Sequence, residues 1–405
     1  MIVFLILGQL GFCQEKPILR VKEKVDVLDD LAREPMLAEH PNGDLYVAGY
    51  RNAGMIPQLW RSKDLGKSWE RVDVGTLEDG ADGNSDVDLV IDEDGTIYFL
   101  TMKYTRIPKD TTGFDWDMKG EHIAVGISMD EGLNWDWQYL SQNELDDRPW
   151  IVIDSEGSAH VIWNDGNGVH YRTSRDKGVS WEQQQDISPK GGSSHFAAGP
   201  NGQLAVRISS NSASGRHFDA GLDLMMISTD NGQTWDEVQP PGTRIWNANY
   251  WEGTPRWVEP VAWDMESNLY YVWSEGKMLK LGVSENDGKD WKVFVVASSE
   301  DIVYYPYLSI KHGLITCSWI AGFENDIKHH AAVIRMNEEE ILVQNLESQT
   351  LRDVRSRFSE DEILATGGEY FPILPLSDGD IGMVTTIQNY VENRLGFTWW
   401  RLATK

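Results

Sequence analysis

Side chains that could bind and cleave a sugar recur at one kind of position in this chain of 405 residues. They stand beside the first residues of predicted strands, often next to a proline, or at the end of the strand that follows. The set comprises Arg33, Arg51, Asp86, Arg148, Glu259 and Tyr370. Two carboxyl groups that flank a glycosidic bond, or a tyrosine nucleophile with a carboxylate helper, supply the groups that cleavage of the bond requires. Arginine side chains can hold the carboxylate or sulfate of an acidic sugar through pairs of hydrogen bonds.

The elements that must position these residues are indicated by an eight-residue repeat, Ser-x-Asp-x-Gly-x-x-Trp. The copies occupy residues 62–69, 128–135, 174–181, 228–235 and 284–291. The last copy has Asn286 in place of the Asp. In each copy the Asp side chain can accept hydrogen bonds from its own loop, the Gly supplies a positive φ, and the Trp begins the next strand. A unit repeated at this spacing predicts a β-propeller.

A second pattern runs in phase with the first. It consists of a polar residue and a proline, a short apolar run, a Gly turn and an alternating strand. The units begin near residues 33, 85, 147, 193, 258, 304 and 370. Period-two alternation and turn residues make each unit a hairpin, to which a third and a fourth strand are added. We therefore predict an all-β fold: a single β-propeller of four-stranded antiparallel blades, with seven blades favoured and six as the alternative.

The two ends of the chain have separate expected roles. The seventh unit ends at 397–400 without an outer strand, and the alternating Val and Leu residues of 17–28 can supply that strand and close the ring. The propeller is therefore expected to span 17–405. Residues 2–12 form an apolar run that is too short to cross a bilayer and is typical of a signal peptide, so we expect 1–13 to be removed on export. A lipid anchor at Cys13 is the alternative.

The repeat phase predicts where the candidate residues meet. In such a ring the inner strands begin on one face, and the Asp-containing turns lie on the other. The candidates come from five units, and all of them should reach one mouth on the axis. The structural alternative is that these charges pair across the narrow axis and only hold the ring closed, since ion-pair networks are common. A functional role is favoured for the whole cluster, because the same face carries aromatic loops.

Three long segments are expected to be loops on that face. They are residues 103–122, 209–221 and 244–251. The last segment places Trp246, Tyr250 and Trp251 in a polar stretch, and we predict that these rings form a platform for a sugar. A hydrophobic cap folded onto the protein is the alternative. Loops on a rigid scaffold usually carry function.

The repeated phrase is the Asp box of the sialidase-like propellers, and the chain resembles that superfamily over nearly its whole length. Sialidases open with Arg-Ile-Pro and have a second Arg at the end of the following strand, and Arg33-Glu34-Pro35 and Arg51 stand in those places. Tyr370, which precedes 378–382 (Asp-Gly-Asp-Ile-Gly), resembles the nucleophilic Tyr of the family, and Glu259 resembles the Glu that assists it. The resemblance implies catalytic roles for Glu259 and Tyr370 and substrate binding by the two arginines.

The chain departs from the sialidase pattern in two places. The acid Asp of the family follows soon after its second Arg, but residues 52–57 contain no carboxylate. At the end of the strand after Glu259, where the family has another substrate Arg, this chain has Ser274. A clamp of three arginines is what grips the carboxylate of sialic acid. From the residues alone, Asp86 and Glu259 form a candidate catalytic pair, with Arg33 or Arg148 binding the acidic group.

Composition limits the partners. The 36 basic and 64 acidic residues give a net charge of −28, which argues against nucleic acid and anionic membrane surfaces as partners. A local Arg cluster can still bind an anionic ligand. Residues 78–86 are rich in oxygen ligands but lack EF-hand spacing, and the histidines lack zinc spacing, so we predict no metal or other cofactor. His195 or His217 could act as a base.

These observations favour a secreted, monomeric, sialidase-like glycoside hydrolase that acts on an extracellular glycan containing an acidic sugar. Export without an internal disulfide fits a bacterial periplasm, envelope or secreted location. The alternative is a non-catalytic propeller that binds a glycan or a protein. The fold alone does not distinguish an enzyme from such a binding protein. A propeller polysaccharide lyase is a third hypothesis, which would use His and Tyr with a neutralising Arg or cation. A lyase releases an unsaturated product, whereas a hydrolase does not.

Overall fold

Seven four-stranded antiparallel sheets make up the fold, each forming one blade of a β-propeller. The protein is described by a computed structural model that covers residues 19–51, 56–108, 116–209, 211–212, 217–218, 222–242, 258–321, 328–336, 341–349, 368–389 and 393–404. The inner strands of successive blades contact each other around the ring, which places them at the axis. The predicted all-β class and the predicted seven blades are both confirmed.

The first strand of the chain, β1 (Leu19–Val27), belongs to the last blade. The first three complete blades follow in chain order, with strands given from the axis outward. Blade 1 contains β2 (Arg33–Glu39), β3 (Leu45–Tyr50), β4 (Gln58–Ser62) and β5 (Glu70–Arg71). Blade 2 contains β6 (Val87–Ile91), β7 (Ile97–Pro108), β8 (Trp116–Ser128) and β9 (Asp136–Ser141). Blade 3 contains β10 (Asp147–Ile153), β11 (Ala159–Asp165), β12 (Gly168–Ser174) and β13 (Gln185–Ser188).

The remaining blades repeat this order with one insertion. Blade 4 contains β14 (Gly192–Ala198), β15 (Leu204–Ser209), β18 (Leu224–Ser228) and β19 (Asp236–Val238). A small hairpin, β16 (Asn211–Ser212) and β17 (His217–Phe218), lies between β15 and β18. Blade 5 contains β20 (Val261–Trp263), β21 (Leu269–Glu275), β22 (Met278–Ser284) and β23 (Lys292–Ser298). Blade 6 contains β24 (Val303–Lys311), β25 (Leu314–Ala321), β26 (Lys328–Met336) and β27 (Ile341–Gln349). Blade 7 contains β28 (Ile373–Pro375), β29 (Ile381–Asn389), β30 (Arg394–Thr404) and β1.

The ring is closed by strands from the two ends of the described chain. Strand β1 pairs antiparallel with β30, from Leu19 opposite Thr404 to Val27 opposite Phe397. Lys22 also forms an ion pair with Asp380 at 2.6 Å, which ties the outer strand to the interior of its blade. The prediction that the segment before blade 1 completes blade 7 is therefore confirmed for the described residues.

The Asp boxes form the turns that the sequence predicted. In the first box, Asp64 Oδ1 accepts hydrogen bonds from the hydroxyl of Ser62 at 2.9 Å and from the backbone N–H of Ser68 at 2.8 Å. The indole of Trp69 donates to the carbonyl of Gly66 at 3.0 Å. Gly66 has a φ of 91°, and Leu65 before it also has a positive φ. The hydrogen bonds of the Asp side chain recur in the next three boxes, at Asp130, Asp176 and Asp230, which explains the constant Ser and Asp of the phrase.

Large aromatic side chains fill the spaces inside and between the blades. The indoles of Trp60, Trp163, Trp273 and Trp399 are almost completely buried. Trp69 of the first Asp box packs edge-on against Phe397 and Trp399 of blade 7, so this box also joins two blades. The burial of these rings supplies much of the hydrophobic stabilisation of the fold. No helix among the described residues is long and apolar enough to cross a membrane.

One expected loop is shorter than the sequence suggested. Residues 103–122 were expected to be a loop, but β7 and β8 continue into this region as a paired hairpin that reaches Pro108 opposite Trp116. The sequence of this region has few regularly alternating apolar residues, so the pattern did not indicate the pairing that extends both strands.

Candidate functional site

The inner strands of three blades begin with the same local distortion. Glu34, Arg148 and Tyr305 each precede a proline and have φ values of 46°, 50° and 45°. The pairing of the inner strand shifts register at the same place in all three blades. A positive φ at a residue other than glycine costs about 1–3 kcal/mol, and such strain is typical of functional sites. The three side chains lie where the inner strands begin, on the face that the sequence predicted for the mouth.

A cluster of charged and phenolic side chains occupies this face at the axis, and we call it the mouth cluster. It consists of Arg33, Glu34, Tyr50, Asp86, Arg148, Glu369 and Tyr370. The members come from blades 1, 2, 3 and 7, so the repeat phase does bring residues from distant parts of the chain together. Hydrogen bonds and charge interactions connect them.

Glu34 is the most buried carboxyl group of the mouth cluster, with 6% of the residue exposed. The hydroxyl of Tyr50 donates a hydrogen bond of 2.5 Å to Glu34 Oε2, and Arg33 Nε donates to the same hydroxyl at 3.1 Å. Arg33 Nη2 lies 3.5 Å from Glu34 Oε1. Arg33 and Tyr50 are opposite each other in the pairing of β2 with β3, so the hairpin itself builds this group.

Tyr370 joins the seventh blade to the second. Its hydroxyl lies 3.5 Å from Asp86 Oδ2, and its ring packs edge-on against Trp150, with 5.2 Å between the ring centroids. The hydroxyl of Ser85 donates to the other carboxylate oxygen of Asp86 at 3.2 Å. A tyrosine hydroxyl beside a carboxylate is the pair that a phenolic nucleophile and its base require.

The electrostatics of the mouth cluster keep several protons in place. Burial, followed by the charges of Asp86 and Glu369, raises the pKa of Glu34 to about 8, although Arg33 acts in the opposite direction. Burial and the carboxylates of Asp86 and Glu34 raise the pKa of Tyr370 well above its ordinary value. Glu34 is therefore mostly neutral at pH 7, and the hydroxyl of Tyr370 keeps its proton unless a base takes it.

The two arginines of the mouth cluster remain charged. Burial alone would lower the pKa of Arg33, but Tyr50 and Glu34 raise it to above its ordinary value. Burial acts in the same way on Arg148, and the charges of Asp147 and Glu369 raise its pKa. The side chain of Arg33 is partly exposed, whereas that of Arg148 is almost covered.

Below the mouth cluster, mainly aromatic side chains fill the central channel. The ring of His195 lies 4.8 Å from that of Trp150 and 5.8 Å from that of Tyr307, measured between centroids. The hydroxyl of Tyr307 donates to the sulfur of Met36 at 3.6 Å. Burial lowers the pKa of His195 to about 3, so the imidazole is neutral at ordinary pH. The described residues therefore place a packed, largely aromatic floor under the mouth, where burial and the nearby buried carboxyl group of Asp88 raise the pKa of Tyr307.

Glu259 lies in a different environment from Tyr370. It is 1% exposed, and its Oε2 atom accepts hydrogen bonds from Arg207 Nε at 2.9 Å and from the hydroxyl of Tyr271. Arg207 is completely buried, with its Nη2 atom 2.6 Å from the same oxygen, and it also forms an ion pair with Asp223. These contacts form a buried ion-pair cluster between blades 4 and 5. Such a cluster fits a structural role, and the catalytic role of Glu259 stays a prediction.

The remaining predicted site residues are Arg51, His217 and the three aromatic residues of the segment 244–251. Arg51 follows the end of β3 and forms an ion pair of 3.0 Å with Asp30. Trp246, Tyr250 and Trp251 lie outside the described residues, and so does the side chain of His217. The described part of the chain contains no group of three or more His, Cys, Asp or Glu residues that could hold a metal ion.

Sequence reasoning missed several members of these clusters. Tyr50 and Glu369 were not considered, although each is adjacent to a residue that was. Glu34 lies between Arg33 and Pro35 in the motif that resembles the family's Arg-Ile-Pro, but the sequence pattern assigned it no role. Arg207 was also missed, because it lies within the apolar run of β15 and its partner Glu259 comes 52 residues later in the chain. The facing positions of β2 and β3 could have indicated Tyr50, since it ends the strand that pairs with β2.

The comparisons with known proteins agree with the fold and the repeat. The BNR/Asp-box repeat family matches residues 226–237, which contain the fourth Asp box. No match was found among curated protein sequences. Because the family match covers one repeat, it identifies the turn and carries no statement about chemistry.

Several solved structures are similar over almost the whole chain. A protein of unknown function from Dyadobacter fermentans DSM 18053 is 13% identical, and the match covers 96% of this chain and 99% of that one with a TM-score of 0.55. A fungal alcohol oxidase of the AA5 family, in complex with copper, is 10% identical over 96% of this chain and 76% of that one, with a TM-score of 0.56. An ulvan lyase of polysaccharide lyase family PL25 is 12% identical over 93% and 95%, with a TM-score of 0.53. At these identities the likeness shows the fold alone, which is a β-propeller, and the repeat match agrees with the Asp boxes that the sequence predicts.

Proposed function

We propose that this protein is an exported, monomeric glycoside hydrolase that cleaves a glycan containing an acidic sugar at the mouth cluster. The observation that carries the proposal is the hydroxyl of Tyr370, 3.5 Å from the carboxylate of Asp86, in a cluster that also contains Arg33 and Arg148. A buried phenol, an adjacent carboxylate and two cations are the groups that cleavage of an anionic glycoside requires.

In this proposal Tyr370 is the nucleophile and Asp86 is its base. The phenolic oxygen of Tyr370 bonds to the anomeric carbon, its proton passes to Asp86, and the bond from the anomeric carbon to the leaving oxygen breaks. The high pKa of Tyr370 makes a base necessary, because the free phenol is a weak nucleophile. Water then attacks the anomeric carbon and releases the sugar, and Asp86 returns its proton to Tyr370. The proton that the water loses balances the one that the departing oxygen gains.

The arginines define the class of substrate. Arg33 and Arg148 lie in a protein whose net charge is −28, so an anionic ligand is attracted only where cations are concentrated. The partly exposed guanidinium of Arg33 can reach a carboxylate or sulfate, whereas the covered Arg148 acts on Tyr370 and its neighbours through its charge. Aromatic rings at 244–251 are proposed to add a platform for the sugar, as the sequence predicts.

The proposal assigns to Asp86 the assisting role that the family resemblance gives to Glu259. The assignment follows from contacts: Asp86 is beside the hydroxyl of Tyr370, whereas Glu259 is held by Arg207 and Tyr271. The catalytic role of Glu259 stays a prediction, and the activity of a Glu259→Gln variant tests it.

A single screen tests the proposed function. The purified protein is incubated with acidic oligosaccharides, and reducing ends and ultraviolet absorbance are read together. We expect reducing ends to increase without the absorbance of an unsaturated product. Tyr370→Phe and Asp86→Asn should abolish the release of reducing ends. Tyr307→Phe is the matched control, because it removes a channel hydroxyl that donates to Met36 and has no described hydrogen bond to the mouth cluster, so turnover should stay unchanged. Full activity in Tyr370→Phe would contradict the proposal.

A polysaccharide lyase is the second candidate, and the position of His195 favours it. The imidazole is held against Trp150, which also contacts Tyr370, and it is neutral at ordinary pH. Burial lowers its pKa, so it would act as a base only when the bound sugar or its counter-charges stabilise the imidazolium. A lyase of this kind would remove a proton from the carbon beside the sugar carboxylate and release an unsaturated product. Ultraviolet absorbance that appears together with reducing ends, and that is lost in His195→Ala, would replace the hydrolase proposal by this one.

Export is proposed from the apolar run at 2–12. The expected result is a protein that accumulates outside the cytoplasm with an N-terminus beyond residue 13. N-terminal sequencing of the exported protein measures this directly. Retention of residues 1–13 in the mature protein would contradict it.

A further inference from the structure

The nucleophile and base of the proposed reaction leave one proton unassigned. When the bond to the anomeric carbon breaks, the leaving oxygen of an unactivated sugar needs a proton in order to depart. Asp86 is occupied with the proton of Tyr370 and cannot supply it. The other carboxyl groups of the mouth cluster are Glu34 and Glu369, whose charges both act on Tyr370.

Glu34 is held in a geometry that suits a proton donor. Arg33 donates to the oxygen of Tyr50, so the proton of the Tyr50 hydroxyl is directed to Glu34 Oε2. That oxygen is therefore an acceptor, and a proton on Glu34 belongs on Oε1. The distance of 3.5 Å from Arg33 Nη2 to Oε1 is at the outer limit of a hydrogen bond, so this contact does not require an ionised carboxylate.

Two features of the backbone fix this carboxyl group. Glu34 has a φ of 46°, which few residues other than glycine adopt. Gly368 has a φ of 118°, and a Cβ atom added there would lie 2.0 Å from Glu34 Cγ. Only glycine therefore leaves room for the Glu34 side chain at this place. Both features stabilise one position of the carboxyl group at a cost in backbone strain, as is usual where a group must be oriented for chemistry.

The surroundings of Glu34 keep a proton available. Burial and the charges of Asp86 and Glu369 raise the pKa of Glu34, Arg33 and the hydroxyl of Tyr50 lower it, and the net pKa is about 8. A carboxylic acid that is neutral near pH 7 can donate a proton, whereas an ordinary glutamate at that pH cannot.

We propose that Glu34 is the general acid of this site. This inference rests on the proposed function. As the phenolic oxygen of Tyr370 bonds to the anomeric carbon, the proton on Glu34 Oε1 passes to the departing oxygen, and both electrons of the broken bond stay with that oxygen. The Glu34 carboxylate then takes a proton from the water that attacks the anomeric carbon, which restores the neutral acid.

Leaving groups of different acidity test this role. The probes are the 4-nitrophenyl glycosides of glucuronic acid and N-acetylneuraminic acid, and the methyl glycosides of the same sugars. Nitrophenolate departs without a proton, whereas methoxide does not. Glu34→Gln should lower kcat/KM on the methyl glycosides by about 100-fold or more and on the nitrophenyl glycosides by less than about 10-fold. The rate of the wild-type protein should decline above about pH 8 as Glu34 loses its proton, and the pH–rate profile of Glu34→Gln should lack this decline.

Glu39→Gln is the matched control. Glu39 is at the other end of β2, its side chain is also buried, and its carboxylate accepts hydrogen bonds from Ser377 at 2.7–3.0 Å on the Asp-box face. This variant should keep the wild-type ratio between the two classes of substrate. If Glu34→Gln does not fold, Tyr50→Phe gives the second measurement. It removes a hydrogen bond that lowers the pKa of Glu34, so the decline in rate should move to higher pH.

The outcomes separate the two claims. A wild-type protein that cleaves neither class of glycoside, and has no hydrolase activity in the screen, overturns the proposed function and the role of Glu34 with it. A wild-type protein that cleaves both classes, combined with a Glu34→Gln variant that loses them equally or loses neither, overturns the role of Glu34 alone. A selective loss on the methyl glycosides supports both.

Discussion

The buried ion pair between Arg207 and Glu259 allows a prediction whose size follows from the contacts. Glu259→Gln keeps the shape of the side chain and removes the charge that faces a fully buried guanidinium. Removing one partner of a buried pair typically costs about 3–5 kcal/mol. Two contacts reduce this cost, because Arg207 keeps its ion pair with Asp223 and the Gln oxygen can still accept the hydrogen bond from Tyr271. We therefore expect a loss of about 2–3 kcal/mol in the free energy of unfolding.

Urea denaturation followed by tryptophan fluorescence measures this loss, with equal slopes in the two proteins as the condition for comparing them. Glu285→Gln is the control, because Glu285 pairs with Lys292 at 2.6 Å but both side chains are more than half exposed. The control should lose less than about 1 kcal/mol. If Glu259→Gln is as stable as the control variant, the reasoning about burial is wrong. If it is stable and also inactive, the catalytic role predicted for Glu259 is preferred over the structural one.

Three further predictions concern stability and the two faces of the ring. The pKa of Glu34 is raised from 4.5 to about 8 in the folded protein, so its contribution to stability is complete below about pH 4.5 and is lost as pH rises through 8. The melting temperature of the wild-type protein should therefore fall between these pH values, and that of Glu34→Gln should fall less steeply. Deleting residues 1–28 removes β1 and exposes the edge of β30, so the melting temperature should drop markedly, and an unchanged value would show that closure is unimportant. Asp176→Ala removes hydrogen bonds to Ser174 and Ser180 on the Asp-box face, so it should lower the melting temperature. Turnover per folded molecule should stay unchanged. A stable but inactive variant would show that the functional face is misassigned.

The features of the fold that depend on hydrogen bonds and turns between residues close in the chain were predicted from the sequence. The turn of each Asp box was predicted correctly because its hydrogen bonds lie within eight residues, as between Asp64 and Ser68. The seven units and the closing role of β1 follow from counting these turns and the proline-led strands. The extended hairpin of β7 and β8 was not predicted, because its outer part depends on pairing between strands and has no regular pattern of apolar residues.

The candidate site was predictable in position but not in its contacts. The repeat phase indicates which end of each inner strand reaches the mouth, and Asp86 and Tyr370 do meet there although 284 residues separate them. The phase does not indicate which side chains pair across the axis, because that depends on the width of the ring and on each rotamer. For the same reason the resemblance gave Tyr370 the partner Glu259, whereas the contacts give it Asp86.

The distribution of backbone strain helps to choose between a functional and a purely structural mouth. On the Asp-box face, residues with positive φ such as Leu65 and Lys177 precede a glycine in turns that many hydrogen bonds stabilise. At the mouth, Glu34 and Arg148 have positive φ directly before proline, and both are charged types with little exposure. Ion pairs that only close a ring can form without strain, as Lys22 and Asp380 do in blade 7. Strain at a buried ionisable side chain is therefore better explained by a requirement for orientation, which is what the proposed acid and the substrate-binding cations need.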